Sequence, residues 1–269
     1  MNTRIQPVGT LLRGWRQRRR LSQLHLAAEA EISQRHLSFV ESGRAAPSRE
    51  MLLHLCEQLA IPLRDRNALL AAGGFASLYR ESDLKDPGSD EARRVLQMIL
   101  EAHTPYPALA IDRHWTLVLA NKAVGLLLTG IDPALLTPPV NVLRLSLHPA
   151  GLAPRIVNFG QWRAHVLTRL THQADQSGDP VLVELASELK RYPSPTGSPS
   201  SQRHALNEYA GLAVPLELMT EVGVLSFLST TTVFGTPVDI SLEELAIETF
   251  FPANPATAQK LGQLGKQQE

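Results

Sequence analysis

Over the first 74 residues, hydrophobic positions recur at three- and four-residue spacing and are interrupted at short intervals by capping and turn residues. This pattern predicts a series of short amphipathic helices. Val8, Leu11, Leu12 and Trp15 mark the first, over Val8–Arg20, with arginines on its wet side. Ser22 is placed to cap a second helix, Gln23–Ala30. Ser33 caps a third, Gln34–Ser42, which ends at Gly43, a residue suited to the left-handed position past a helix end. Pro47-Ser48 opens a fourth, whose Met51, Leu52, Leu55, Cys56 and Leu59 make one apolar stripe, and Pro62 stops it. Leu63–Ala72 is a fifth, closed by Gly73-Gly74.

The pattern then changes. Residues 76–90 are polar and end in turn formers, as in an interdomain linker. Helical stretches are predicted at Glu91–Ala102, Asn121–Leu128, Val142–Leu147, Gly160–Gln176, Pro180–Arg191, Glu243–Phe250 and Pro252–Leu264. Two hairpins are predicted: Ala108–Ile111 with Trp115–Ala120, and Tyr209–Leu218 with Val222–Phe234. The Pro- and Ser-rich stretch Tyr192–Gln202 reads as a loop. The expected organisation is an all-α five-helix domain (1–75), a linker (76–90) and an α+β domain with an antiparallel sheet and helices on one side (91–269).

Charge sharpens this division. The chain carries 26 basic and 26 acidic residues. Residues 1–74 hold 11 arginines and no lysine against six acids, and five of those arginines fall between Arg13 and Arg20. A cationic module joined to an acidic one points to a polyanionic partner for the first part alone. No apolar run is long enough to cross a bilayer, and no apolar core follows the Arg-rich N-terminus as in a secretory signal. With a single cysteine, Cys56, the expected compartment is a reducing cytoplasm. Cys56 sits in an apolar stripe and reads as core.

To bring a short helix into the major groove of a duplex, a second helix must be braced across it through a tight turn. Ala27 at the crossing, Ile32 after the turn and Leu37 in the next helix meet that requirement, with Leu24, Leu26 and Val40 as further grip. These residues, with Ser22-Gln23, the run Phe39-Val40-Glu41-Ser42-Gly43-Arg44 and Pro47-Ser48, resemble the lambda-repressor-like (XRE-type) helix-turn-helix family. The resemblance implies that Gln23 meets backbone and Gln34 meets bases. Glu31 stands in the turn where members of that family often have Gly, so a left-handed backbone there would be strained. Gln34 and Arg35 are the candidates for base edges, adenine and guanine respectively, with Ser38 one turn on. Gln23, Arg44 and Arg16 or Arg19 are the candidates for phosphate.

The second part shows no Gly-rich phosphate loop, no nucleophile elbow and no His-x-x-x-His pair, so neither an enzyme nor a metal site is expected. It has no cysteine to sit beside a flavin and no histidine that stands out as a haem ligand, so no cofactor is expected. Trp115, Phe159, Trp162, Leu225 and Phe227 are large apolar candidates for lining a pocket, and Arg144 could pair with an acidic ligand head. Five stretches resemble the MmyB-like ligand-binding domain of bacterial regulators. They are Pro107-Ala108-Leu109 to Trp115 and Asn121, Asn141–Leu145, Asp179-Pro180 to Tyr192-Pro193, Phe234–Pro237 and Phe250-Phe251-Pro252. That resemblance implies a PAS-like sheet, an apolar pocket and a fatty-acid-like ligand. The expected protein is a DNA-binding transcriptional regulator that binds duplex DNA and a small apolar ligand, and forms a homodimer. The competing readings are a constitutive binder whose second domain only dimerises or docks a partner protein, and an enzyme with a regulatory head.

Overall fold

A computed structural model of the chain describes residues 6–82, 90–195, 213–235, 237 and 239–266. It forms two compact units, one of residues 1–83 with 236–243, the other of residues 84–235 with 244–269.

The first unit is helical: α1 (Val8–Arg18), α2 (Gln23–Glu29), α3 (Gln34–Glu41), α4 (Arg49–Gln58) and α5 (Leu63–Ala72). Serines open three of these helices. The hydroxyls of Ser22, Ser33 and Ser48 accept the backbone N–H groups of His25, His36 and Met51 at 3.1, 3.1 and 3.2 Å, satisfying donors that the first helical turn leaves free. Leu12, Trp15, Leu26, Ala27, Leu37, Val40, Leu52, Leu55, Cys56 and Leu70 close a single core. Burial pushes the Cys56 thiol up to about 12, so it stays protonated as a core side chain. Leu24, expected to help grip the bundle, instead stands 63% exposed, because α2 turns Leu26 and Ala27 inward.

Glu31 takes a left-handed backbone, φ 52°, and the turn closes through Ile32 N–H to the Ala27 carbonyl at 2.9 Å. The strain expected at a non-glycine residue is therefore present. The segment joining the two long strands of the second unit contains a one-turn helix, Ile240–Glu243, and belongs to the first unit. There the Glu243 carboxylate accepts Leu63 N–H at 2.7 Å, capping α5, and Ser82 donates to Asp239 at 2.7 Å. Within the stretch expected to be a linker, Asn67 bonds the backbone of Leu78 and Tyr79 on three sides; residues 83–89 lie outside the described ones.

The second unit is α+β. Its helices are α6 (Asp90–Ala102), α7 (Lys122–Leu127), α8 (Val142–Leu147), α9 (Phe159–Ser177), α10 (Pro180–Arg191) and α11 (Pro255–Lys266). Its strands are β1 (Ala108–Ile111), β2 (Leu117–Ala120), β3 (Leu216–Thr220), β4 (Gly223–Val233) and β5 (Ala246–Pro252), in the antiparallel order β2-β1-β5-β4-β3. Both expected hairpins form where they are described; Tyr209–Leu212 and most of the Tyr192–Gln202 loop lie outside the described residues.

The expected helix at Glu243–Phe250 is corrected. From Ala246 onward it is β5, the central strand, which pairs Leu109 with Glu248 on one edge and Thr230 with Thr249 on the other. Ile247, Thr249, Phe250 and Phe251 are strand formers, and a slot with hydrogen-bonding partners on both edges outweighs the helix-forming residues just before them. Buried asparagines fix the connections. Asn121 accepts Ala108 N–H and donates to the carbonyls of Leu100 and Tyr106, while Asn158 donates to Pro215 and accepts Glu217 N–H.

Gly9 makes the tightest approach in the helical unit. A Cβ there would lie 2.2 Å from the Val40 carbonyl oxygen and 2.7 Å from that of Glu41. Both are backbone atoms of α3, so neither yields without moving the helix. Gly9→Ala is expected to destabilise the protein by about 1–3 kcal/mol in urea unfolding, the usual range for overpacking. A neutral result would show that α1 and α3 separate at no cost.

Candidate functional site

At the C-terminal end of α3, Glu41 is buried, and three neighbours converge on it. Arg16 from α1 donates Nε to Oε1 at 2.6 Å and Nη2 to Oε2 at 2.8 Å, a bidentate pair. Gln23 at the start of α2 donates to Oε2 at 2.8 Å. A third nitrogen of Arg16 reaches the Leu21 carbonyl at 2.8 Å. One carboxylate thus ties three helices. Burial alone would raise the Glu41 carboxyl, but the hydrogen bonds from Arg16 and Gln23, with the charges of Arg16 and Arg13, outweigh it and hold the group below its ordinary range.

With Leu37, Val40 and Glu41 turned inward, the opposite side of α3 is left to solvent. Gln34 and Arg35 stand exposed on its first turn, and Ser38 is half-buried one turn later. Gly43, at φ 76°, ends the helix and leads into the exposed Arg44. Phe39 lies between the two cations, its ring 5.3 Å from the Arg35 guanidinium and 5.9 Å from that of Arg44. Exposed cations, an amide and an aromatic shelf on a rigid helix are the chemistry that reads a duplex.

Four of the seven residues singled out for duplex contact, Gln34, Arg35, Ser38 and Arg44, fall on this face or just past its end, while Gln23, on α2, donates its amide to Glu41. The other two are engaged elsewhere. Arg16 is held by Glu41, and Arg19 donates to the Leu59 and Ala60 carbonyls at 2.8 and 2.9 Å, closing the end of α4. An arginine count cannot register such internal use, because burial of a guanidinium depends on where its partner carboxylate lies in the fold.

The second unit holds an apolar cavity of about 110 Å³ between the sheet and helices α7, α8 and α9. Trp115 and Trp162 line it, with Leu109, Leu127, Leu143, Val166, Leu218 and Phe250 among the apolar walls. Trp115 sits at φ 66°, a left-handed backbone that is unusual for so bulky a side chain. Asp112, which accepts the N–H groups of His114 and Thr116 at 2.8 Å, fixes that turn, and the indole donates to Gln173 at 2.8 Å. Strain of this kind concentrates where a side chain is held toward a ligand.

Phe159, Leu225 and Phe227 do not line the cavity; they are fully buried in the core cluster around it. Arg144 also lies away from the cavity lining. It pairs with Glu188 through Nε–Oε1 at 2.9 Å and Nη2–Oε2 at 2.8 Å, beside Tyr192. The cavity's own charged residues, Arg169 and Glu248, were missed. Arg169 follows His165 by one turn, at a spacing shared by ordinary helix pairs. Glu248 was hidden by the mistaken helix. Among the described residues no cluster of His, Cys, Asp or Glu is arranged to hold a metal ion, and no helix is long and apolar enough to cross a membrane.

These two sites define a class: a helix-turn-helix head joined to an α+β domain built around an apolar cavity. Comparison with known families agrees. Residues 7–69 match a helix-turn-helix domain. Residues 92–264, more than half of the chain, match the MmyB-like transcription regulator ligand binding domain, and the chain belongs to that family. No curated protein matches the chain. The chain is a DNA-binding transcription regulator with a ligand-binding domain.

The Arg16–Glu41 pair sets an acid limit on the head. A carboxyl held below its unfolded value contributes stability that is complete above the ordinary glutamate range and is lost as pH falls through the lowered folded value. Glu41→Gln leaves a buried guanidinium without its counter-charge, so a loss of about 3–5 kcal/mol is expected at neutral pH. In denaturation curves, the gap between wild type and variant should close on acidification below about pH 4. A gap independent of pH would exclude the ionised pair as its source.

Proposed function

We propose that the protein is a dimeric regulator that reads a short, pseudo-palindromic duplex site through α3 and responds to a small apolar ligand, fatty-acid-like in its hydrocarbon part. The exposed Gln34–Arg35 turn, backed by a buried ionic clamp, carries the reading. We read Gln34 as pairing with adenine and Arg35 with guanine, with Ser38 beside them. Arg44 and the free edge of Gln23 meet phosphate. Arg16 and Arg19 act behind this face, keeping α1 and α4 in place.

A single short helix buries too little surface to select one site in a genome, so two heads must act together. Helix α6 supports this. Beside its buried Leu96 and Leu100 it exposes Val95, Met98 and Ile99 at helical spacing, Met98 at 65%. Such an apolar row on a polar surface fits a symmetric partner helix. We read the five-stranded sheet as PAS-like, with its cavity as the ligand site. Ser229 on β4 and Glu248 and Phe250 on β5 line that cavity, and the segment joining these two strands belongs to the head's unit, where Glu243 caps α5. A ligand that shifts β4 and β5 would act through their connecting segment and the Glu243 hydrogen bond on α5.

Two measurements test this. In competition binding with a site selected from genomic fragments, Gln34→Ala with Arg35→Ala should relax sequence preference, by about 1–3 kcal/mol at each contacted base. Arg44→Ala should weaken all duplexes alike and reduce the salt slope by about one. An unchanged preference in the double variant would remove α3 as the reader. In sedimentation, Met98→Glu should raise the dimer dissociation constant by at least about tenfold. A wild-type chain that stays monomeric at micromolar concentration would overturn the dimer.

A further inference from the structure

The polar groups lining the cavity are Ser146, His165, Arg169, Ser229 and Glu248. Arg169 and Glu248 are already joined to each other. Nη2 meets Oε1 at 2.6 Å and Nη1 meets Oε2 at 3.3 Å. Thr231 closes the group, accepting from Arg169 at 2.6 Å and donating to Glu248 at 2.9 Å. The guanidinium also lies 4.6 Å from the centre of the Trp115 ring. Glu248 is only 5% exposed.

This arrangement leaves the cavity wall without an uncompensated charge. A ligand carboxylate reaching for Arg169 would meet the Glu248 carboxylate already there, and displacing it would strand a buried anion. An ammonium reaching for Glu248 would meet Arg169 in the same way. The groups with hydrogen-bonding capacity left over are uncharged. Ser146 accepts the Trp162 indole N–H at 2.8 Å and keeps its own O–H to donate. The side chains of His165 and Ser229 have no hydrogen bond among the described residues. His165 is disfavoured as a cation by burial and then by the neighbouring Arg169. The space of about 110 Å³ takes on the order of eight waters, or a ligand of about ten non-hydrogen atoms.

We propose, building on the reading of this cavity as the ligand site, that it selects an uncharged amphiphile of medium chain length, and that the Arg169–Glu248 pair turns away ionised heads. The hydrocarbon part fills the apolar walls, and a hydroxyl, ester or similar neutral head bonds to Ser146, His165 or Ser229. The pair is a specificity element. It neutralises the arginine that would otherwise capture a carboxylate.

The test compares 1-octanol, octanoate and octylammonium on the full-length protein at about pH 8, where octanoate is ionised. Binding is read by tryptophan fluorescence, since Trp115 and Trp162 line the cavity, and by calorimetry. The expected result is octanol binding at least about tenfold more tightly than either ion. In Glu248→Gln, which frees Arg169, octanoate should gain about tenfold or more while octanol changes by less than about threefold. Octanoate binding wild type as tightly as octanol would overturn the neutral-head inference and leave the ligand site standing. No response to any of the three would remove the ligand site itself. If Glu248→Gln does not fold, as judged by near-ultraviolet circular dichroism, the wild-type ranking alone decides.

Discussion

Glu41 sits where three helices of the head meet, and both of its oxygens are occupied by nitrogen donors from the other two. This arrangement determines what the head can do. A helix of eight residues, as α3 is, has too few hydrogen bonds of its own to hold its direction. It needs a fixed frame, and the frame is a buried charge whose partners come from α1 and α2. Removing Arg16 or Glu41 leaves the other as an unpaired ion in the core, so the pair is intolerant of half-measures. The close approach at Gly9 and the left-handed turn at Glu31 serve the same frame: the first lets α1 lie against the end of α3, the second starts α3 at the correct angle. With its inner side fixed this way, the helix presents Gln34 and Arg35 without further support.

The second unit uses a partly buried ion pair for a different purpose. Arg169 and Glu248 border a cavity, where an exchange of partners is possible in principle. There the pair costs more in desolvation than a pair of apolar side chains would. What it supplies is a boundary condition on the ligand, since a balanced dipole at the wall attracts neither sign. Both charges stand on elements that also carry the apolar walls, α9 with Trp162 and β5 with Phe250.

How much of this was legible in the sequence follows from which signals are local. Helix starts were, because Ser22, Ser33 and Ser48 act on backbone groups three residues away. The two hairpins were, because alternation and turn residues are adjacent in the chain. The central strand was not. Leu245, Ala246 and Glu248 suit a helix by themselves, and only the pairing of β5 with β1 on one side and β4 on the other makes the strand. The helix-turn-helix residues were found from spacing and resemblance together. The arginines were harder. The head carries arginine and no lysine, and arginine's planar fork serves internal roles that an ammonium fills poorly. Arg16 grips a carboxylate, Arg19 closes a helix end, and Arg18 stacks 4.1 Å from the Trp15 ring centre. The basic run therefore overstates the charge that faces a duplex. Likewise Arg144 and Arg169 cannot be told apart by composition: each lies on a helix, and only the fold sends one to Glu188 and the other to the cavity.

Ligand control adds a requirement that the two sites meet only together. A ligand shifts an equilibrium by no more than its difference in affinity for the two states, so the cavity matters to the head only if its walls differ between them. The cavity walls include β4 and β5, and the segment that leaves β4 and returns as β5 carries the carboxylate that caps α5. Strand registers are discrete: a one-residue slip of β5 against β4 would move Glu248 and Phe250 to the other face of the sheet. Small displacements of a paired strand are therefore resisted. A ligand that wedges the cavity open favours a change at the strand ends, where the ladder stops and the connection begins. Glu248 stands near the start of β5, and its pairing with Arg169 of α9 leaves the cavity wall without a net charge to draw in an ion.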